Sequence, residues 1–196
     1  MKRLLSKALV AILVAFAGAH GAAAQDAEWL DDKLSVRKEI VVKPGTGGAG
    51  LDVKAPTFPF AIRLSTQTLA FEDVKPDGAD LRIAGPDGKR VDHYIENFDA
   101  KAGLATVWVK GTNFDPANSQ TYHLYYGGDV PSTANPASIF DSSEMLALDF
   151  TGGAKDRTRN NNSVTSVPTS PGFGGASATF SGGQSLRVAA SASLNI

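Results

Sequence analysis

The chain has 196 residues, with 19 Lys plus Arg against 20 Asp plus Glu and a formal charge of −1. There is no cationic surplus for nucleic acid or anionic lipid, and the absence of cysteine excludes disulfides and thiolate metal sites. The length suits one domain, or one domain and a fragment.

The first element in chain order is an export leader over residues 1–24. Lys2, Arg3 and Lys7 form a basic region, residues 8–17 an apolar run, and Ala22-Ala23-Ala24 a small-residue cleavage site. That order is the secretory pattern and predicts cleavage after Ala24, with a periplasmic or secreted product. The rival reading is an uncleaved anchor over residues 4–19, which is shorter than the roughly 20 residues a span needs. Processing leaves 172 residues with 16 Lys plus Arg against 20 Asp plus Glu, a formal charge of −4. No later segment is long and apolar enough to cross a membrane as a helix.

The body reads as all-β. Leu34, Val36, Ile40 and Val42 alternate, with Lys38 interrupting the set where a sheet edge is expected. Phe58, Phe60, Ile62 and Leu64 alternate against Pro59, Ala61, Arg63 and Ser65, and Pro59 places this strand at an edge. Further strands are expected over residues 79–84, 91–98, 104–110 and 121–126. Pro76-Asp77-Gly78, Gly85-Pro86-Asp87-Gly88 and Asn113-Phe114-Asp115-Pro116 supply turns between them. In residues 91–98 strict alternation sets Val91, His93 and Ile95 on one face, and Tyr94 and Phe98 with Asp92 and Glu96 on the other. Residues 104–110 look covered on both faces and are the best central strand. Tyr125 faces away from Tyr122 and Tyr126, so at most one of these sets is expected in the core. The expected fold is an antiparallel β-sandwich, jelly-roll-like, with a partial second β domain at the C-terminus.

After Phe140-Asp141 the composition changes. Residues 142–150 read as a helical turn or a strand, followed by a tract poor in large apolar residues, with apolar pulses at Ala178-Thr179-Phe180 and Leu186-Arg187-Val188. The division expected is a leader over 1–24, a sandwich over 25–145 and a partial second domain over 146–196. Backbone protection is expected to fall from about Gly152 onward.

Several segments carry a family likeness: Trp29, Arg37-Lys38-Glu39-Ile40, Asp77-Gly78-Ala79-Asp80-Leu81-Arg82-Ile83, Asp87-Gly88, Ile95-Glu96-Asn97-Phe98-Asp99, Ala105-Thr106-Val107-Trp108-Val109-Lys110, Tyr125-Tyr126-Gly127 and Ile139-Phe140-Asp141. In their order and spacing they resemble the uncharacterised extracytoplasmic domain found in front of MotA/TolQ/ExbB-type proton channels. Gly128 stands where relatives often carry Asn. The tail, through Asp149-Phe150, residues 156–162, 172–176 and 180–188, is similar to the opening of a laminin-G or concanavalin-like jelly roll. About fifty residues do not close that fold, so the resemblance implies a truncated member of the architecture or a tail completed by another chain. It also implies an envelope location, ExbB/TolQ-like channel proteins as partners, and no established activity.

The residues themselves offer little catalytic chemistry. His93 and His123, with Asp92 or Asp99, are a weak zinc set, since each lies in an apolar strand where a structural histidine is commoner. There is no Gly-x-Ser-x-Gly elbow. Asp80, Asp92, Glu96, Asp99 and Asp141 are available for glycoside cleavage, but none forms a recognisable pair. Asp77, Asp80 and Asp87 read as turn residues, a setting that also suits a calcium-stiffened loop. Residues 45–50 lack the Lys-Ser or Lys-Thr of a phosphate loop and read as a flexible connection. Among the aromatics, Tyr125, Tyr94 and Trp108 are the candidate ligand contacts, with Trp108 also a core candidate.

The expectation is a non-catalytic periplasmic binding or interaction module, with no metal and no cofactor, associated with an ExbB/TolQ-like transport system. The alternative is a carbohydrate-binding module that contacts an envelope polymer or glycan. A polysaccharide-active enzyme with an unrecognised carboxylate pair is the third reading.

Overall fold

The structure is a computed structural model and describes residues 14–15, 29–172 and 175–195. All but residues 14 and 15 of the expected leader lie outside the described residues. Those two form β1 (Val14–Ala15), paired antiparallel with Val41 and Val42.

The main strands are β2 (Val36–Val42), β3 (Ala55–Ser65), β4 (Arg82–Ala84), β5 (His93–Asp99), β6 (Leu104–Phe114) and β7 (Gln120–Tyr126). They form two antiparallel sheets, ordered β1-β2-β7-β4 and β3-β6-β5. Side chains from both sheets meet in one core: Ile40 and Val42, Phe60, Ile62 and Leu64, Ile83, Val107 and Val109, and Tyr122, Leu124 and Tyr126. Burying each of the larger apolar groups contributes roughly 1.5–3 kcal/mol. This is a β-sandwich. β6 is central in its sheet, and β3 is an edge strand, where Pro59 withdraws no needed donor.

Strict alternation fails in β5. Its register against β6 shifts between Ile95 and Asn97, leaving Glu96 as the extra residue of a β-bulge. The bulge resets the parity, so Phe98 pairs with Ala105, faces the core and lies 5.3 Å from the Phe71 ring. The expectation that Phe98 shares a face with Tyr94 is thereby corrected. The Tyr-Tyr expectation is corrected as well, because Tyr122, Tyr125 and Tyr126 are all buried. Tyr122 and Tyr126 join the inter-sheet core, and Tyr125 joins a second cluster with Leu34, Ala84 and Val130 on the outer face.

Residues 45–50 are not a loose connection. Gly48 and Gly50 N–H donate to the Gly45 carbonyl, Ala49 N–H to Lys43 and Leu51 N–H to Pro44, all at 2.8–2.9 Å. Those backbone donors are spent inside the turn.

The turn before β4 is fixed by one carboxylate. Asp80, 1% exposed, accepts from Lys75 N–H at 2.9 Å through one oxygen. Its other oxygen accepts from Gly127 N–H at 2.9 Å and Gly128 N–H at 3.3 Å. Gly78 turns the chain at φ +71°, where a Cβ would lie 2.9 Å from Ile95 and Phe98 side-chain atoms. Gly128 passes so close to Lys33 that a Cβ would stand 2.1 Å from its carbonyl oxygen. Any side chain at position 128 therefore needs a different path for the N-terminal segment.

The tail forms separate hairpins, β8 (Leu148–Asp149) with β9 (Lys155–Asp156) and β10 (Thr169–Gly172) with β11 (Gly175–Ala178). Residues 180–188, part of the expected jelly-roll opening, form no named strand and pair only through an isolated bridge between Val164 and Val188. Polar groups organise the first part. Asp156 accepts from Ala147 N–H, from Thr158 N–H and Oγ1, and from Asn162 N–H and Nδ2, at 2.8–3.1 Å. Beyond it, Val167 is the sole buried apolar side chain among the described residues, and Phe180 is 52% exposed.

Two outcomes follow. Replacing Asp80→Ala strands three backbone donors, so urea unfolding should show a loss of about 3 kcal/mol; a change below about 1 kcal/mol would refute the clamp. Amide exchange should be slowest in β3, β6 and β7, intermediate over residues 147–162 and fastest from 163 to 195. Uniform protection across these regions would contradict that ordering.

Candidate functional site

Both outer faces of the sandwich carry aromatic residues, and they differ in access. On the outer face of the β3-β6-β5 sheet, Tyr94 and Trp108 sit directly opposite in register. Their rings are parallel to within 5° with centroids 6.5 Å apart. Phe140 lies over Trp108 at 6.0 Å, and Ile139, Ala134 and Ala147 complete the cover. Tyr94 is 5% exposed and Trp108 is half-buried. Two of the three expected contact residues therefore form one stack, roofed by the segment that follows β7.

The bulge residue Glu96 belongs to this stack. Its Oε2 accepts from Trp108 Nε1–H at 2.7 Å. Burial pushes its carboxyl pKa up, and Asp149 adds to this, against the Trp108 hydrogen bond and the charges of Arg63 and Arg157. Asp149 is 2% exposed, accepts from Arg157 Nε–H at 2.7 Å and from Nη2, and takes Thr151 N–H at 2.7 Å. Asp149 is thus committed within the β8-β9 hairpin, whose approach, through Ala147, packs on this face. The charge of Asp149 acts on Glu96, but the Asp149 carboxylate is itself engaged by a guanidinium.

On the outer face of the other sheet, the third expected contact, Tyr125, is 2% exposed. Trp29 covers it edge-on, with centroids 5.3 Å apart and an interplanar angle of 87°. A ring with so little surface has no face left for a ligand to stack on. Trp29 itself is 40% exposed. Its Nε1–H donates to the Leu34 carbonyl at 2.8 Å, and the Arg37 guanidinium carbon lies 5.2 Å from its ring centroid. Register places Arg37 beside Tyr125 and Glu39 beside His123 on this same face. His123 is partly covered, and burial, then Arg37, lowers its pKa against the pull of Glu39. Sequence reasoning took Tyr125 rather than Trp29 and passed over Arg37 and Glu39; their odd-numbered alternation in β2 was the available signal.

The remaining candidates are structural in their contacts. Asp77 accepts from Ala79 N–H at 3.0 Å, Asp87 from Lys89 N–H at 3.1 Å and Asp99 from Ala102 N–H at 2.8 Å. Asp141 takes Ser143 N–H at 2.6 Å and Thr57 Oγ1–H at 2.8 Å; the Ser143 contacts, helped by Thr57, hold its carboxyl well below the usual range. His93 and His123 lie on strands of different sheets. Among the described residues no three His, Asp or Glu side chains converge as a metal site would require. His93 is 2% exposed and bonds the Val91 backbone.

Residues 77–158 match the family profile of DUF2341, a domain of unknown function. The matched stretch holds the Asp80 clamp, the Tyr94–Trp108 stack, Glu96 and the Asp149–Arg157 pair. It also runs through the boundary expected at residue 145. No curated protein and no solved structure gives a match.

Burial, reinforced by the charge of Arg82, lowers the His93 pKa to about 4 from 6.5. Its folded pKa is depressed, so the stability it confers is complete above pH 6.5 and is lost as pH falls toward about 4. The loss is on the order of 3 kcal/mol. Glu96 works in the opposite sense, since a raised carboxyl pKa favours folding at low pH and loses that contribution as pH rises through it. NMR titration should find the His93 ring neutral until about pH 4, and a midpoint near the ordinary imidazole value would overturn its burial.

Proposed function

We propose that this chain is a non-catalytic interaction module of the bacterial envelope, exported through its leader and associated with an ExbB/TolQ-like energised transport system. One observation carries the non-catalytic part. The acidic residues of the recurring segments, Asp77, Asp80, Asp87 and Asp99, each accept from backbone N–H groups of a turn. Carboxylates used this way specify loop shape, and Asp80 has both of its oxygens engaged by backbone donors. The contacts of those residues therefore support a rigid scaffold rather than a reaction. The envelope setting and the channel partner rest on the leader pattern and on the family resemblance, including the tail's likeness to the opening of a laminin-G domain.

A second reading is favoured by a specific feature. An immobilised, 40%-exposed Trp29 beside charged residues suits a carbohydrate-binding module better than a purely protein-facing surface.

For the first reading, the full-length tagged chain should be produced with its own leader in its native host and cross-linked in intact cells. ExbB/TolQ-type proteins should be enriched over a tag-only export control. Recovery at control level, with export verified by fractionation, would remove the channel association.

A further inference from the structure

We propose that Trp29 is the stacking platform of a saccharide site on the outer face of the β2-β7-β4 strands, taking a neutral pyranose ring of a polysaccharide. This rests on the carbohydrate-binding reading above.

Three observations converge on Trp29. First, the ring is exposed although it is the kind of side chain a sandwich ordinarily buries; 40% of its surface remains open. Second, it is held in place rather than loosely exposed. The Leu34 carbonyl fixes its indole N–H at 2.8 Å, Tyr125 meets it edge-on, and Arg37 packs on it as a cation on a π-system. A ring with its rotamer already fixed loses little conformational entropy on binding, which is the property a stacking surface needs. Third, the neighbouring groups supply the polar fringe that sugar hydroxyls require. Arg37 is a pure donor, Glu39 an acceptor, and His123, on the adjacent strand beside Glu39, offers one of each when neutral. Adjacent strands lie about 4.8 Å apart, a spacing that lets hydroxyls on one ring reach both rows.

Charge selects the ligand class. Arg37 and Glu39 place one charge of each sign on neighbouring outward positions of β2, and burial, then Arg37, lowers the His123 pKa. A phosphate or uronate would meet Glu39 as well as Arg37. A neutral sugar meets donors and acceptors in equal measure, and its C–H face is what an indole ring accepts.

The two sheets provide an internal control. Trp108, the second of the two tryptophans, is roofed by Phe140 and bonded to Glu96. In full-length protein labelled with 5-fluorotryptophan, two 19F signals are expected, assigned with Trp29→Phe. Titration with cello-, chito- and xylo-hexasaccharides should move the Trp29 signal and leave that of Trp108 in place. Trp29→Ala should weaken binding at least tenfold, Trp29→Phe less, and Glu39→Ala several-fold, with cooperative unfolding checked in each variant. Should Trp29→Ala unfold, Trp29→Phe and the wild-type 19F shift carry the test. A hexasaccharide that binds while the Trp29 signal stays fixed, or that binds Trp29→Ala as tightly as wild type, overturns the platform and leaves the carbohydrate reading standing. Failure of all three sugars to bind at millimolar concentration overturns both.

Discussion

The carboxylate of Asp80 is the constraint on which the arrangement of the sandwich depends. It lies in the turn before β4, yet two of its three donors belong to the Gly127-Gly128 exit of β7, 47 and 48 residues later. β4 is only three residues long and pairs with β7 through Arg82, Ile83 and Ala84, with a single further bridge from Ala84 to Arg90. So short an edge strand has few ladder bonds to hold its register. Asp80 supplies the missing register information by tying both strands to one buried carboxylate at the Arg82–Tyr125 end of the pairing. Arg82 extends the tie: 3% exposed, it donates to the Ala79, Leu81 and Pro131 carbonyls, joining the turn, the strand and the loop after β7. The Lys75–Asp129 bridge at 2.7 Å spans the same junction, but Asp129 is exposed and such pairs contribute little.

A two-sheet sandwich ordinarily leaves its outer faces to water. Here both are partly covered, and by different means. The N-terminal segment, through Trp29, Leu30 and Leu34, covers Tyr125 with apolar surface. The C-terminal segment covers Tyr94 and Trp108 with Phe140 and Ile139, and its own shape is fixed by Asp149–Arg157 and the donors around Asp156. The first cover ends in an open ring and the second in a buried ion pair. A buried ion pair adds little net stability but is costly to break, because removing one partner leaves the other charge stranded. The second face is therefore closed in a defined geometry, whereas the first still offers surface to a partner.

This contrast explains how much of the molecule was legible in its sequence. Where one face is apolar and the other polar, period 2 reads directly, as in Phe60, Ile62 and Leu64 of β3 and Val107 and Val109 of β6. Asp77 and Asp87 were legible as turn formers because their bonds are local, two residues apart. Asp80 looked the same, but its decisive partners are remote, and no local pattern encodes them. The β5 bulge was hidden for a related reason. One extra residue leaves the apolar content of the strand unchanged while inverting every side chain beyond it. Alternation across Ile95, Glu96, Asn97 and Phe98 is equally consistent with a straight strand, and only the pairing with Val107 and Thr106 decides it.

Tyr125 and Trp29 show why the site was harder to read than the fold. Alternation correctly sets Tyr125 on the outer face, and an outer-face aromatic is a reasonable ligand contact. The missing information was that residues 29–34 fold back over that face, held by Trp29 Nε1–H on Leu34 and by Leu34 N–H on Asp31 at 3.1 Å. This cover transfers the role from Tyr125 to Trp29. The buried tyrosine becomes the support of the exposed tryptophan, while Arg37, fixed by pairing with Tyr125 in register, presents its charge to the same ring. Function on this scaffold is thus set one layer above the sheet, by whichever segment lies on it. The acidic turn residues within 77–158 thus shape the scaffold, whereas the exposed Trp29 and its neighbour Arg37 lie outside the matched stretch.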